Sequence, residues 1–137
     1  MARCRNELAD EETAARFGDL ASALPLAPTD AFPTVLATAR LVAFMEIASA
    51  RVLQPHLAQG QLSVGVVVDI TRSAPTPTGA AVTATARYLG RDGKLFEFEV
   101  VAVDSGGEIG RARHRRTVVD TGRVLANADR RIAAAGG

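Results

Sequence analysis

Three side chains between Phe32 and Arg72 are of types that can do chemistry together: Thr38, Glu46 and Arg72. Glu46 is a carboxylate in an otherwise apolar run, Leu-Val-Ala-Phe-Met-Glu-Ile-Ala. A carboxylate so placed loses solvation unless a cation or donor meets it, and it can serve as a general base or a nucleophile. Thr38 offers a hydroxyl for positioning, or a helix cap worth ~1 kcal/mol. Arg72 closes a Val-rich segment. Its guanidinium stays protonated and is no base, but it can pair with Glu46, hold a carbonyl oxygen or hold a carboxylated group. Thr38 and Glu46 are eight residues apart, about 12 Å along a helix rising 1.5 Å per residue. On one straight helix they cannot grip the same atom. Either the chain around Thr38 bends back, or two copies of the chain share a site.

The element that must carry Thr38 and Glu46 is a helix from Thr38 to about Leu53. Leu41, Val42, Met45, Ala48, Ser49 and Val52 recur at steps of three and four, Thr38 reads as its N-cap, and Pro55 ends it. Ala39, Ala43 and Ala50 on the other side leave little that needs water, so the helix is expected to be buried against a sheet. Four strands are expected after it. Residues 62–72 are Val-rich with Gly65, and 81–89 alternate Val82, Ala84, Ala86 and Tyr88 with polar residues. Residues 95–104 alternate Phe96, Phe98, Val100 and Ala102, and 108–119 form the fourth strand. Between them lie an Ala-Pro-Thr-Pro-Thr-Gly turn (74–79), a hairpin with Asp92-Gly93 at its centre, and Ser-Gly-Gly (105–107). A helix over about 122–134 closes the chain. Before all this, residues 7–22 read as polar and weakly helical. Pro25, Pro28 and Pro33 then make a loop whose one large apolar side chain is Phe32, either a lid over a pocket or a plug at the core's edge.

Length and composition bound the rest. The 137 residues make one α+β domain with 47% hydrophobic residues. A net charge of +1 and few aromatics argue against nucleic acid as a partner. No apolar run reaches a membrane span, the N-terminus lacks a signal-peptide core, and the lone Cys4 forms no internal disulfide; a cytoplasmic location is the expectation. Two His and one Cys lie too far apart to suggest a metal site. On the strand holding Arg111-Ala-Arg113-His114-Arg115-Arg116, the odd-numbered arginines share one face, and His114 and Arg116 share the other. One face could meet phosphates or simply face water, and His114 reads as structural.

The run Phe32–Glu46, Gly65, the 74–79 turn, Val-Asp-Ser-Gly-Gly-Glu-Ile-Gly (103–110) and His114-Arg115-Arg116 resemble hot-dog-fold thioesterases of the fluoroacetyl-CoA thioesterase type. The likeness spans about residues 30–120. It implies a hot-dog fold, a curved antiparallel β-sheet wrapped around a long central helix, in a single domain 1–137 with a variable N-terminal segment 1–30 and a C-terminal helix and tail 121–137. It also implies a homodimer with active sites at the subunit interface. By the same resemblance Thr38 and Glu46 fill the family's catalytic Thr and Glu positions, Gly65 is the strand glycine near the acyl group, and Phe32 is the lid. The family's catalytic His position falls on Arg72. The implied activity is hydrolysis of a small acyl thioester of coenzyme A or a carrier, with Arg72 as a positive contact and Arg111 and Arg113 available to coenzyme A phosphates. No cofactor is expected, coenzyme A entering only as part of the substrate. Two other readings stand beside it. One is a non-hydrolytic acyl-thioester binder or cyclase- or dehydratase-like enzyme on the same scaffold, the other a structural dimer module.

Overall fold

The computed structural model describes residues 3–8, 29, 33, 35–77 and 79–136. The elements run β1 (Arg3–Leu8), α1 (Thr38–Leu53), a single 3-10 turn (Gln54–His56), β2 (Gln61–Arg72), β3 (Val82–Asp92), β4 (Leu95–Asp104), β5 (Gly107–Asp120) and α2 (Thr121–Ala134). The strands form one antiparallel sheet in the order β1-β3-β4-β5-β2, with α1 against its inner face. This is the α+β architecture that the helix-then-strands pattern led one to expect, and α1 has the expected bounds.

The core is the seam between α1 and the inner face of the sheet. Leu41, Phe44, Met45, Ala48, Val52 and Leu53 meet Val82, Ala84, Ala86, Phe98, Val100, Ala102, Ile109 and Ala112. The period-two alternation of β3 and β4 puts these side chains on one face, and full burial of each large one is worth about 1.5–3 kcal/mol.

Several local expectations are corrected. A fifth strand, β1, pairs with β3 from Arg3↔Arg87 to Leu8↔Val82. Glu7 and Leu8, read as the start of a weak helix, belong to it; residues 9–22 lie outside the described residues. The β3–β4 hairpin turns on Gly93-Lys94 instead of Asp92-Gly93. Asp92 pairs with Leu95, and Gly93 takes the left-handed conformation (φ +62°) that a two-residue loop needs. The 74–79 segment is more than a turn. Pro77 bridges to Val35, Leu36 N–H donates to Thr76 O (2.9 Å), and the buried Thr76 hydroxyl donates to Asp104 Oδ2 (2.9 Å). This strap fixes where the chain enters α1.

Helix α1 is not buried all round. Ala39 and Ala43 are exposed and Ile47 is 43% exposed. The edge strand β2 is likewise open on both faces, with Leu62, Val64, Val66, Val67 and Val68 between 37% and 55% exposed.

Candidate active site

Thr38 does not cap α1. The N-cap is Ala37, which gives no side-chain hydrogen bond, and Thr38 is the first helical residue. Its Oγ1 instead accepts a hydrogen bond from Arg72 Nη1 (3.2 Å), and Arg72 Nε donates to Ala74 O (3.3 Å). The third guanidinium nitrogen, Nη2, is shielded from solvent and has no acceptor among the described residues. A buried donor left unpaired costs about 1–3 kcal/mol. Thr38 and Arg72 line a cavity of about 240 Å³ with Pro33, Val35, Leu36, Ala37 and Ala39. Among the described residues no carboxylate lines it, and the first turn of α1 carries none. Phe32, expected as its lid, lies outside the described residues.

Glu46 forms a second cluster two turns further along α1. Its cation is Arg116, not Arg72: Arg116 Nη1 stands 3.7 Å from Glu46 Oε1. Arg116 is itself held by Ser63, with Nε donating to Ser63 Oγ (3.0 Å) and Nη2 to Ser63 O (2.9 Å). Burial lowers the Arg116 pKa from its usual range, an effect that Glu46 opposes. Gly65, paired with Arg116 across the β2–β5 ladder, sits where the carboxylate passes. A Cβ built there would collide with Glu46 Oε1 and come within 3.5 Å of Arg116 Nη1. The ladder bulges immediately after it, between Gly65 and Val67. Only Oε1 of Glu46 is engaged among the described residues; its side chain is 38% exposed.

Sequence reasoning put Gly65 near this chemistry but assigned no role to Ser63 or Arg116. The signal that was available is the shared strand face of His114 and Arg116, with Ser63 two residues before Gly65. His114 lies one step along the same inner face, 1% exposed, with Nδ1 3.2 Å from Ser49 Oγ. The Ser49 hydroxyl also lies 3.1 Å from Met45 O, so donating there leaves the ring's Nδ1–H to donate to Ser49. Burial first, and Arg116 second, lower the His114 pKa to about 4. It is a neutral core histidine near neutral pH.

Arg111 and Arg113 lie on the opposite, outer face of the sheet, along with Asp69, Glu99 and Glu108. Arg111 is taken by Glu108 (2.7 Å) and Glu99 (3.5 Å), and Glu108, ahead of Glu99, raises its pKa. A phosphate there would have to compete with two carboxylates. A larger cavity, about 420 Å³, opens at the far end of α1 between Val52, Leu53, His56, Leu57, Tyr88 and Phe96. Among the described residues no carboxylate and none of the clustered polar groups lines it. Among the described residues no group of three His, Cys, Asp or Glu side chains could hold a metal, and no helix is long and apolar enough to cross a membrane.

The single chain thus presents two clusters at different levels of α1, Thr38–Arg72 and Glu46–Gly65–Arg116–Ser63. Comparison with known proteins gives this arrangement a context. The sequence profile described as fluoroacetyl-CoA-specific thioesterase matches residues 21–122. The fluoroacetyl-CoA thioesterase of Streptantibioticus cattleyicolor is 39% identical over 88 residues, 64% of this chain and 63% of that protein, so the chain spans under two thirds of that curated relative's length. Among solved structures, a fluoroacetyl-CoA thioesterase superposes with a TM-score of 0.82 at 30% identity, covering 94% of this chain and 93% of that one. A variant of the fluoroacetyl-CoA-specific thioesterase in complex with fluoroacetate and coenzyme A gives 0.80 at 29%, covering 93% and 97%. A thioesterase superfamily member from Thermus thermophilus shares the fold at 21% identity (TM-score 0.80, covering 97% and 92%).

Proposed function

The chain belongs to the fluoroacetyl-CoA-specific thioesterase family and has its hot-dog fold, and on that premise we propose that it hydrolyses small acyl thioesters of coenzyme A or of a carrier. Glu46 is the reactive group, and the observation that carries this is its surroundings. One carboxylate oxygen is turned toward a buried, doubly anchored arginine, the other has no partner among the described residues, and a glycine clears the space beside it. A carboxylate held in that way can attack the thioester carbonyl, or take a proton from the water that does. In either course the C–S bond breaks, the thiol leaves, and water supplies the oxygen of the product acid. Arg116 and Ser63 act as positioning residues for Glu46. Thr38 supplies a polar contact to the acyl group, and Arg72 a cationic one.

The working form in this reading is a homodimer that completes each site across its interface. Thr38 and Glu46 lie about 12 Å apart along one helix, and the described residues just before Thr38 line the cavity with Arg72, not with Glu46. Glu46 lies under β2, the sheet edge whose Val-rich surface and unpaired backbone groups suit a second copy.

The test is free-thiol release from a panel of short, carboxylated and aromatic acyl-CoAs by the wild-type protein and Glu46→Gln. Release by wild type that falls by at least roughly a thousandfold in the variant, the scale of losing a reactive group, supports the reading. No release from any thioester by either protein would transfer the site to the non-hydrolytic, ligand-binding reading.

A further inference from the structure

The acyl-thioester reading leaves the substrate class open, and the cavity beside Thr38 narrows it. Arg72 brings a full positive charge to the cavity wall, and its placement is fixed from two sides, by Thr38 Oγ1 and by Ala74 O. No carboxylate among the described residues balances that charge. Among the described residues Nη2, withdrawn from solvent, has no acceptor, and every other side chain lining the space is apolar except Thr38. A guanidinium whose shielded Nη2 meets no acceptor among the described residues gains most from an anion with two oxygens, the geometry its planar fork matches. A neutral carbonyl oxygen would satisfy one N–H and leave the charge uncompensated. The volume of about 240 Å³ corresponds to roughly eight water-sized units at about 30 Å³ each, enough for a short acyl chain that ends in a carboxylate.

We infer that Arg72 and Thr38 form a subsite for a carboxylate carried by the acyl group, so that the preferred substrates are thioesters of short dicarboxylic acids. The inference rests on the acyl-thioester reading of the same site and adds the class of acyl group to it. Arg72 fixes the end of the acyl chain, which sets how far the thioester carbonyl reaches from the subsite, while Thr38 Oγ1, already an acceptor from Arg72, keeps its own proton to donate.

Matched thioester pairs test it. Malonyl-CoA and isovaleryl-CoA differ by a carboxylate in place of an isopropyl group, and so do succinyl-CoA and 4-methylpentanoyl-CoA; coenzyme A and its charges are common to all four. The wild-type protein is expected to favour the carboxylated member of each pair by roughly ten- to a hundredfold in kcat/KM, the range of a charge-assisted contact. Arg72→Gln should erase that preference by slowing the carboxylated members well beyond any loss on their neutral partners, and Arg72→Lys should restore part of it. Equal or better use of the neutral members by wild type would overturn the inference, as would an Arg72→Gln loss that falls equally on both members. If no thioester is hydrolysed, the hydrolase reading fails separately. Calorimetric binding of the same four compounds to the wild-type protein then decides this one: tighter binding of the carboxylated members upholds it, and equal or absent binding overturns it.

Discussion

At the scale of single residues, the structure divides the expected trio differently from the sequence. Thr38 and Arg72 meet, while Glu46 pairs with Arg116, a residue that the sequence placed on a strand face with His114 and within the family-like run, but gave no role. Glu46 stood out because a carboxylate in an apolar helix is rare, and that signal is local. Its partner was not legible, because the Gly65↔Arg116 pairing depends on strand register, which in β2 includes a bulge. Gly65→Ala therefore tests the cluster directly. The added methyl displaces the carboxylate, and a misplacement near 1 Å costs on the order of a hundredfold in rate; kcat should fall that far while the melting temperature changes little. His114 gives a pH prediction with a definite sign. Its folded pKa of about 4 lies below the ordinary 6.5, so between those values the unfolded chain binds the extra proton. The stability it contributes is complete above about 6.5 and is lost as pH falls toward 4, by up to about 3 kcal/mol. Urea titrations of wild type and His114→Phe at pH 7 and pH 4.5 should show the wild-type loss and a smaller one in the variant. Equal losses would deny His114 that role.

At the scale of elements, α1 and β2 to β5 were legible to within three residues at each end, because period-two and helical patterns in long segments leave little choice of buried face. Strand β1 was not. Arg3–Leu8 is polar and short, and what makes it a strand is the free edge that β3 offers. The exposure of α1 was also misjudged: Ala39, Ala43 and Ile47 are apolar, yet all three are exposed and no described element covers them. Together with the five exposed apolar residues of β2, they are the surface on which the proposed dimer rests. Val66→Lys should therefore convert a dimer to a monomer in light scattering and remove thiol release, with little effect on the stability of the single chain, since Val66 is 53% exposed there. A variant that stays dimeric and active would place the interface elsewhere.

At the scale of the whole molecule, one helix holds two polar clusters a dozen ångströms apart, and neither is a complete hydrolytic site. In the proposed dimer a two-fold pairing of chains joins them, so that Thr38 and Arg72 of one copy hold the acyl group and Glu46 of the other acts on it. Subunit mixing tests that claim most directly. Thr38→Ala and Glu46→Gln chains, each strongly impaired alone, are co-expressed in equal amounts and assayed for thiol release on the best thioester of the panel. With sites shared across the interface, every mixed dimer regains one intact site, and the mixture should show roughly a quarter of wild-type activity, because half the dimers are mixed and each of those has one working site of two. Activity no greater than the average of the two separate variants would contradict the shared site and return Thr38 and Glu46 to a single chain.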